Sequence, residues 1–344
     1  MKRRVGKVSQ WELILLAVVA IGLFALVVNS QQTTRARDYE ARAQAAALAQ
    51  SAFRTIRDYR LKTGYAPDAI NDPNQTGLVG HQYSLITTGR GDQTGVLTSA
   101  NPNFAAVVVA QFRRAGLRPK DLVAVGFDGS NPPLNVEVLA ACSVLKLTPV
   151  IVTAVGSGAW GANDASFTWL DIEALLCQEG LLPYRSLAAS IGGDDDQGRG
   201  LSPPGRIVAE SAIARNRVRL LRASNLDEAV RARMALYQEA AGGHRYRAFI
   251  NVGDAPVNIG DDGRPIPTGV VTRSPERMPA KSVARAMAEQ GARVVNFRDI
   301  LRLAYRYRLP VAPVPIPPLA KGRMFTERRY SVPLAALAAL VIVV

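Results

Sequence analysis

From residue 122 onward, strand-length apolar runs alternate with helical stretches, and no other feature of the chain constrains its fold as tightly. Residues 123–161 show the pattern most clearly. An apolar run stops at Gly126-Phe127-Asp128-Gly129-Ser130-Asn131, restarts as a helix, returns to an apolar run and stops again at Gly156-Ser157-Gly158. The same reading places strands at 122–127, 149–155, 217–221, 248–252 and 293–297. It places helices at 102–115, 134–145, 169–179, 206–215, 226–241, 280–290 and 299–307. Such alternation predicts an α/β domain, with a mostly parallel, doubly wound (Rossmann-like) sheet and helices on both faces. In open sheets of this kind ligands sit outside the carboxyl ends of the strands, so the small polar residues after each strand are the first place to look for chemistry.

Residues 13–28, LILLAVVAIGLFALVV, form an unbroken apolar run close to the ~20 residues that a membrane-crossing helix needs. Lys2, Arg3, Arg4 and Lys7 precede it. Positive charge beside the first apolar segment favours a cytoplasmic tip, an uncleaved signal anchor and an extracytoplasmic remainder. Residues 35–62 lack Gly and Pro and read as a helical stalk, whose Ala-rich face with Leu48, Phe53 and Ile56 could equally pack on a core or partner. The expected domains are therefore a tip and anchor (1–30), a stalk (31–66), an extracytoplasmic α/β domain (67–309) and a Pro-rich segment with an apolar tail (310–344). The tail, residues 332–344, is short for a span and reads as a partial, re-entrant or second membrane helix. Were it to cross back, Lys321, Arg323, Arg328 and Arg329 would lie outside, against the charge rule.

With 344 residues, 48% of them hydrophobic, the chain can bury one generous core. Its formal charge of +14 suits a polyanionic partner. The Arg residues are scattered, and there is no zinc finger or RNA-binding aromatic signature, which argues against nucleic acid. Two cysteines, Cys142 and Cys177, and two histidines, His81 and His244, leave no basis for a His/Cys metal site, though a disulfide stays open. No P-loop or dinucleotide fingerprint occurs, so no cofactor is expected.

The candidate catalytic groups are Ser130 and Asp128, at a strand exit where backbone amides and a following helix can hold an anion or an oxyanion. The competing role is helix capping. Gly129, Asn131, Ser157, Gly158, Asn163 and Asp164 are candidate ligand-binding residues of the two turns, and Gly253 with Asp254 adds a third wall. Gly161-Ala162-Asn163-Asp164 is similar to the Gly-x-Asn-Asp block of SGNH-type esterases. However, the first block reads Asp-Gly-Ser rather than Gly-Asp-Ser, and neither histidine has an Asp three residues upstream. Gly192-Gly193-Asp194-Asp195-Asp196 is a candidate divalent-cation loop by its oxygen ligands, but it lacks EF-hand spacing and reads rather as an acidic, solvated loop. Arg90-Gly91-Asp92 is a three-residue match to an adhesion motif and is discounted.

Several ordered blocks then converge on one family. They are Thr76-Gly77-Leu78 with Tyr83-Ser84-Leu85-Ile86-Thr87-Thr88, Ala100-Asn101-Pro102-Asn103-Phe104-Ala105-Ala106, and Gly129-Ser130 with Leu134-Asn135. Phe167-Thr168-Trp169-Leu170-Asp171 and Ile250-Asn251-Val252-Gly253 continue the series. Together they resemble the bacterial poly-gamma-glutamate system protein family, over most of the chain up to about Pro318. The resemblance implies an accessory subunit of a membrane assembly that makes, exports or anchors that anionic polymer at the cell surface. Its partners would be the membrane, the other subunits and the polymer itself. A hydrolase or transferase acting through Ser130, and a purely structural scaffold, remain open beside it.

Overall fold

A computed structural model describes residues 9–66 and 68–343. The basic tip with Lys2, Arg3, Arg4 and Lys7 lies outside the described residues, as do Pro67 and Val344. In chain order the first elements are α1 (Gln10–Asn29), β1 (Gln32–Arg35), α2 (Tyr39–Lys62), β2 (Thr87–Gly89), α3 (Gln93–Ser99) and α4 (Ala105–Arg114). There follow β3 (Leu122–Asp128), α5 (Pro132–Val144), β4 (Thr148–Ala154), β5 (Ser157–Gly158), β6 (Asn163–Asp164), β7 (Phe167–Thr168) and α6 (Trp169–Gln178). Next come β8 (Ala188–Ser190), α7 (Pro203–Arg215), β9 (Arg219–Leu220), α8 (Leu226–Ala241), β10 (Ala248–Val252) and α9 (Pro256–Ile259). The chain closes with β11 (Gly269–Val270), α10 (Val283–Glu289), β12 (Arg293–Phe297), α11 (Ile300–Tyr307), β13 (Thr326–Arg329) and α12 (Val332–Val343).

These elements form two compact units, one of Met1–Tyr39 with Phe325–Val344 and one of Glu40–Met324. The larger is a mixed α/β unit around a seven-stranded sheet in the order β11-β12-β10-β3-β4-β8-β9. All neighbours in it are parallel except β11, which runs antiparallel to β12. β3 is buried from Val123 to Asp128, which is why its sequence is continuously apolar rather than alternating. Ala124, Phe249 and Val294 pack with α8, α9 and α10. Successive residues of a strand point to opposite faces. Accordingly Phe127 and Phe297 meet other helices, with Trp169 of α6 edge-on to Phe127 at 5.4 Å and Phe112 of α4 edge-on to Phe297 at 6.3 Å.

The path of the chain through this sheet determines where the site lies. From β3 it proceeds outward through β4, β8 and β9, then returns to β10 on the other side of β3 and continues to β12. The direction of winding thus reverses between β3 and β10, and their carboxyl ends part there.

Residues 35–62 do not form a free stalk. Gln32–Arg35 is strand, the helix begins at Tyr39, and Ala45, Ala46, Ala49, Ala52, Phe53, Ile56 and Arg60 are buried along one face. Alanine's small side chain lets a helix approach its support closely, so the Ala-rich face is a packing face. The larger unit also reaches beyond residues 67–309. Its Pro-rich segment is tied down where Asn74 donates to the Pro313 carbonyl (2.8 Å) and Asn103 to that of Pro318 (3.2 Å).

In the smaller unit α1 is the one helix among the described residues long and apolar enough to cross a membrane, a test that a signal sequence also passes. Ser9 and Glu12 form a capping box at its start, and none of its residues is buried. α12 lies alongside it, and β1 pairs antiparallel with β13 from Gln32↔Arg329 to Arg35↔Thr326.

Candidate functional site

Three strand exits meet where the winding reverses. β3 delivers Asp128, whose carboxylate is almost fully buried. One of its oxygens accepts from the Ser130 amide at 2.8 Å and the other from the Asp254 amide at 2.7 Å. Burial, and then the neighbouring charge of Asp254, push this acid up to about 6. The Ser130 hydroxyl hydrogen-bonds the same carboxylate and accepts from the Gly158 amide at 2.9 Å. Gly253 has φ +99, and a Cβ there would lie 2.0 Å from an Asp128 oxygen. A side chain at this position would both strain the backbone and strike the acid, so the third strand exit must turn on glycine.

The second turn is packed backbone against backbone. The Gly129 amide donates to the Gly156 carbonyl (3.3 Å) and the Ala162 amide to that of Gly129 (2.7 Å). Onto this frame folds the loop carrying β2, which pairs with β5, and a Cβ on Gly158 would come within 2.8 Å of Gly91. Asn163 anchors that loop. Its amide oxygen accepts from the His81 amide (2.8 Å), and its nitrogen donates to the His81 carbonyl (2.7 Å) and the Thr87 hydroxyl (3.0 Å).

Of the residues singled out in the sequence, Asp128, Ser130, Gly158 and Asp254 share the lining of one cavity of about 110 Å3. Gly129, Ser157 and Gly253 shape its walls by close packing. Asn131, Asn163 and Asp164 are not among the lining residues. Asn131 caps α5 by accepting from the Leu134 amide (3.1 Å) while Ser99 donates to it (2.7 Å). Asp164 pairs with the largely buried Arg60 at 3.0 Å. The cap of α5 is thus Asn131, and not Asp128 or Ser130, for which capping was the competing role.

Sequence reasoning missed Arg90 and Asp194, which line the same cavity. Arg90 stands between Gly89 and Gly91, and that Gly-x-Gly spacing was the available sign of close backbone approach. Asp92, the last residue of the adhesion-like triplet, caps α3 through the Gly95 amide (2.9 Å). The rest of the acidic loop is internally committed, Asp196 to buried Arg233 (3.0 Å) and Asp195 to Arg199 (2.7 Å). No group of three His, Cys, Asp or Glu side chains suited to a metal ion occurs among the described residues.

A second cavity, of about 500 Å3, shares Asp254 with the first and is lined by Arg273, Arg298 and Arg302. Arg298 donates to Asp254 at 2.6 Å. Asp299 of the same lining is occupied in capping α11, accepting from the Arg302 amide at 2.9 Å. The lining thus carries three arginines and three aspartates: Arg298 pairs with Asp254, Asp92 and Asp299 each accept a backbone amide, and Arg273 and Arg302 have no carboxylate partner among the described residues of the lining. His81 and His244 are both exposed and belong to neither cavity, which leaves Asp128 as the acid–base group in contact with Ser130. Comparison with protein-family models, curated proteins and solved structures found no match to this chain.

Proposed function

We propose that this chain is a membrane-anchored accessory protein of a bacterial poly-gamma-glutamate synthesis and export system, whose rim cavities handle the acidic polymer. The carrying observation is the cavity that shares Asp254 with the crevice at the sheet's reversal point, where Arg273 and Arg302 stand beside the Arg298–Asp254 pair, with Asp92 and Asp299 bound to backbone amides. Guanidinium groups suit repeated carboxylates, and Asp254 offers an acceptor for the chain's amide N–H groups. The sequence blocks that resemble the poly-gamma-glutamate system family support the same reading, as does the net charge of +14. In this account α1 is the anchor, the basic N-terminal tip stays in the cytoplasm and the α/β unit works outside it. The sheet is read as doubly wound and Rossmann-like, supported by the reversal of strand order and the helices on two faces. Labelled poly-gamma-glutamate should bind the full-length protein in detergent at low salt, whereas a neutral polymer of equal length should not. Absence of binding at low salt would remove the proposal.

The Asp128–Ser130 contact favours a second reading, a hydrolase or transferase that opens or transfers the polymer's amide bonds. Ser130 would attack the carbonyl as its proton passes to Asp128, a stronger base than an ordinary carboxylate because burial raises its proton affinity. Asp128 would return that proton to the departing amine as the C–N bond breaks, and water or an acceptor amine would then release the acyl group from Ser130. Under this reading Ser130→Ala abolishes polymer cleavage or transfer while the protein stays folded, with a Tm lowered only by the lost contacts to Gly158 and Asp128. Turnover that survives the substitution would exclude it.

A further inference from the structure

We infer that α12 is a second membrane-embedded segment, entering the bilayer from the face at which α1 leaves it and packing antiparallel against α1. The inference rests on the reading of α1 as an anchor and extends it to the other end of the chain. α12, VPLAALAALVIV, carries no polar side chain on any face. Val332, Leu337, Leu340 and Val341 are all exposed, Val332 by 75% and Leu340 by 63%. A helix apolar all round requires an apolar surrounding, and α12 lies beside the helix for which a bilayer is the natural one.

The connection between the two helices sets the direction of entry. β1 follows α1 after two residues and β13 precedes α12 after two, and the strands are antiparallel in continuous register from Gln32↔Arg329 to Arg35↔Thr326. At the junction the Ser331 amide donates to the Ser30 hydroxyl at 3.2 Å, so the end of α1 and the start of α12 stand at one level. From that level α12 descends about 18 Å at ~1.5 Å per residue, beyond the midplane of a hydrocarbon layer roughly 30 Å thick. Tyr330, Arg329 and Arg328 sit immediately before the apolar helix and are exposed. Aromatic rings and cations at that depth fit the headgroup layer. The chain therefore leaves and re-enters the membrane at one face, and the pairing of β1 with β13 keeps Arg328 and Arg329 there despite the charge bias.

The test uses the full-length protein with Trp11→Phe, reconstituted in phosphatidylcholine–phosphatidylglycerol vesicles brominated along the acyl chains. A reporter is placed at Phe24→Trp in α1 or at Leu337→Trp in α12. Both reporters should be quenched to a similar extent, beyond the signal of the remaining tryptophans. Quenching of Phe24→Trp without Leu337→Trp overturns the inference and leaves the anchor standing, whereas quenching of neither overturns the anchor as well. Leu340→Cys, protected from an impermeant maleimide in vesicles and reactive in detergent, gives a second readout. Equal labelling in both states contradicts insertion.

Discussion

Asp128 concentrates the chemistry of the rim in one side chain. Its carboxylate accepts two backbone amides and one hydroxyl, yet burial outweighs these contacts and lifts the group to about 6. In the unfolded chain an Asp titrates near ~3.9, so between ~4 and ~6 the native state holds the extra proton. Stability from this group is fully present below the unfolded value and is lost as pH rises through about 6. A difference of ~2 units corresponds to about 3 kcal/mol. Asp128→Asn cannot titrate, and its second amide group meets a backbone donor, so it should be less stable than wild type at every pH. The deficit should be larger near ~4.5 than near ~8. Urea unfolding at the two pH values measures this, and parallel losses would show that Asp128 is not the group responsible.

At the scale of elements, the rim is held by contacts between loops that lie far apart in sequence. Asn163 is the clearest case, because its amide group spans β6 and the segment from His81 to Thr87 with three hydrogen bonds. Asn163→Ala leaves the part-buried His81 amide without this acceptor and the Thr87 hydroxyl without this donor, while the His81 carbonyl keeps the Trp160 amide, and should cost about 1–2 kcal/mol. Amide exchange should accelerate at His81 while the strands of the central sheet stay protected. Uniform acceleration, or none, would contradict an anchoring role. The same contrast explains what was legible in the sequence. β10, β12 and α8 occupy the residues expected of them, since alternation of apolar runs and helix-length segments is a local signal. The turns at Asp128 and Asp254 were also visible, because each follows a strand. Arg90 was not, because its place on the rim depends on β2 pairing with β5 across some 70 residues. α2 showed an Ala-rich face without showing what covers it, and a stalk and a packed helix share that pattern.

For the whole molecule, two properties bear on one another. One unit holds α1, a helix long and apolar enough to cross a membrane and with none of its own residues buried, and the other is an α/β unit with a cavity of arginines and aspartates at its sheet reversal. Under the proposed function the cavity of the α/β unit receives an acidic chain, and electrostatic recognition of that kind has a definite signature. Many weak arginine contacts to a flexible polyanion are screened beyond ~8–10 Å as salt rises through the physiological range. The most direct measurement is calorimetric titration of poly-gamma-glutamate into the full-length protein over a series of salt concentrations, for wild type and for the Arg273→Gln/Arg302→Gln variant. Affinity that falls steadily with salt, and that the variant weakens by about tenfold or more with a shallower salt dependence, is the expected result. No affinity at low salt, or equal affinity in the variant, would contradict the assignment of the rim as the polymer's site.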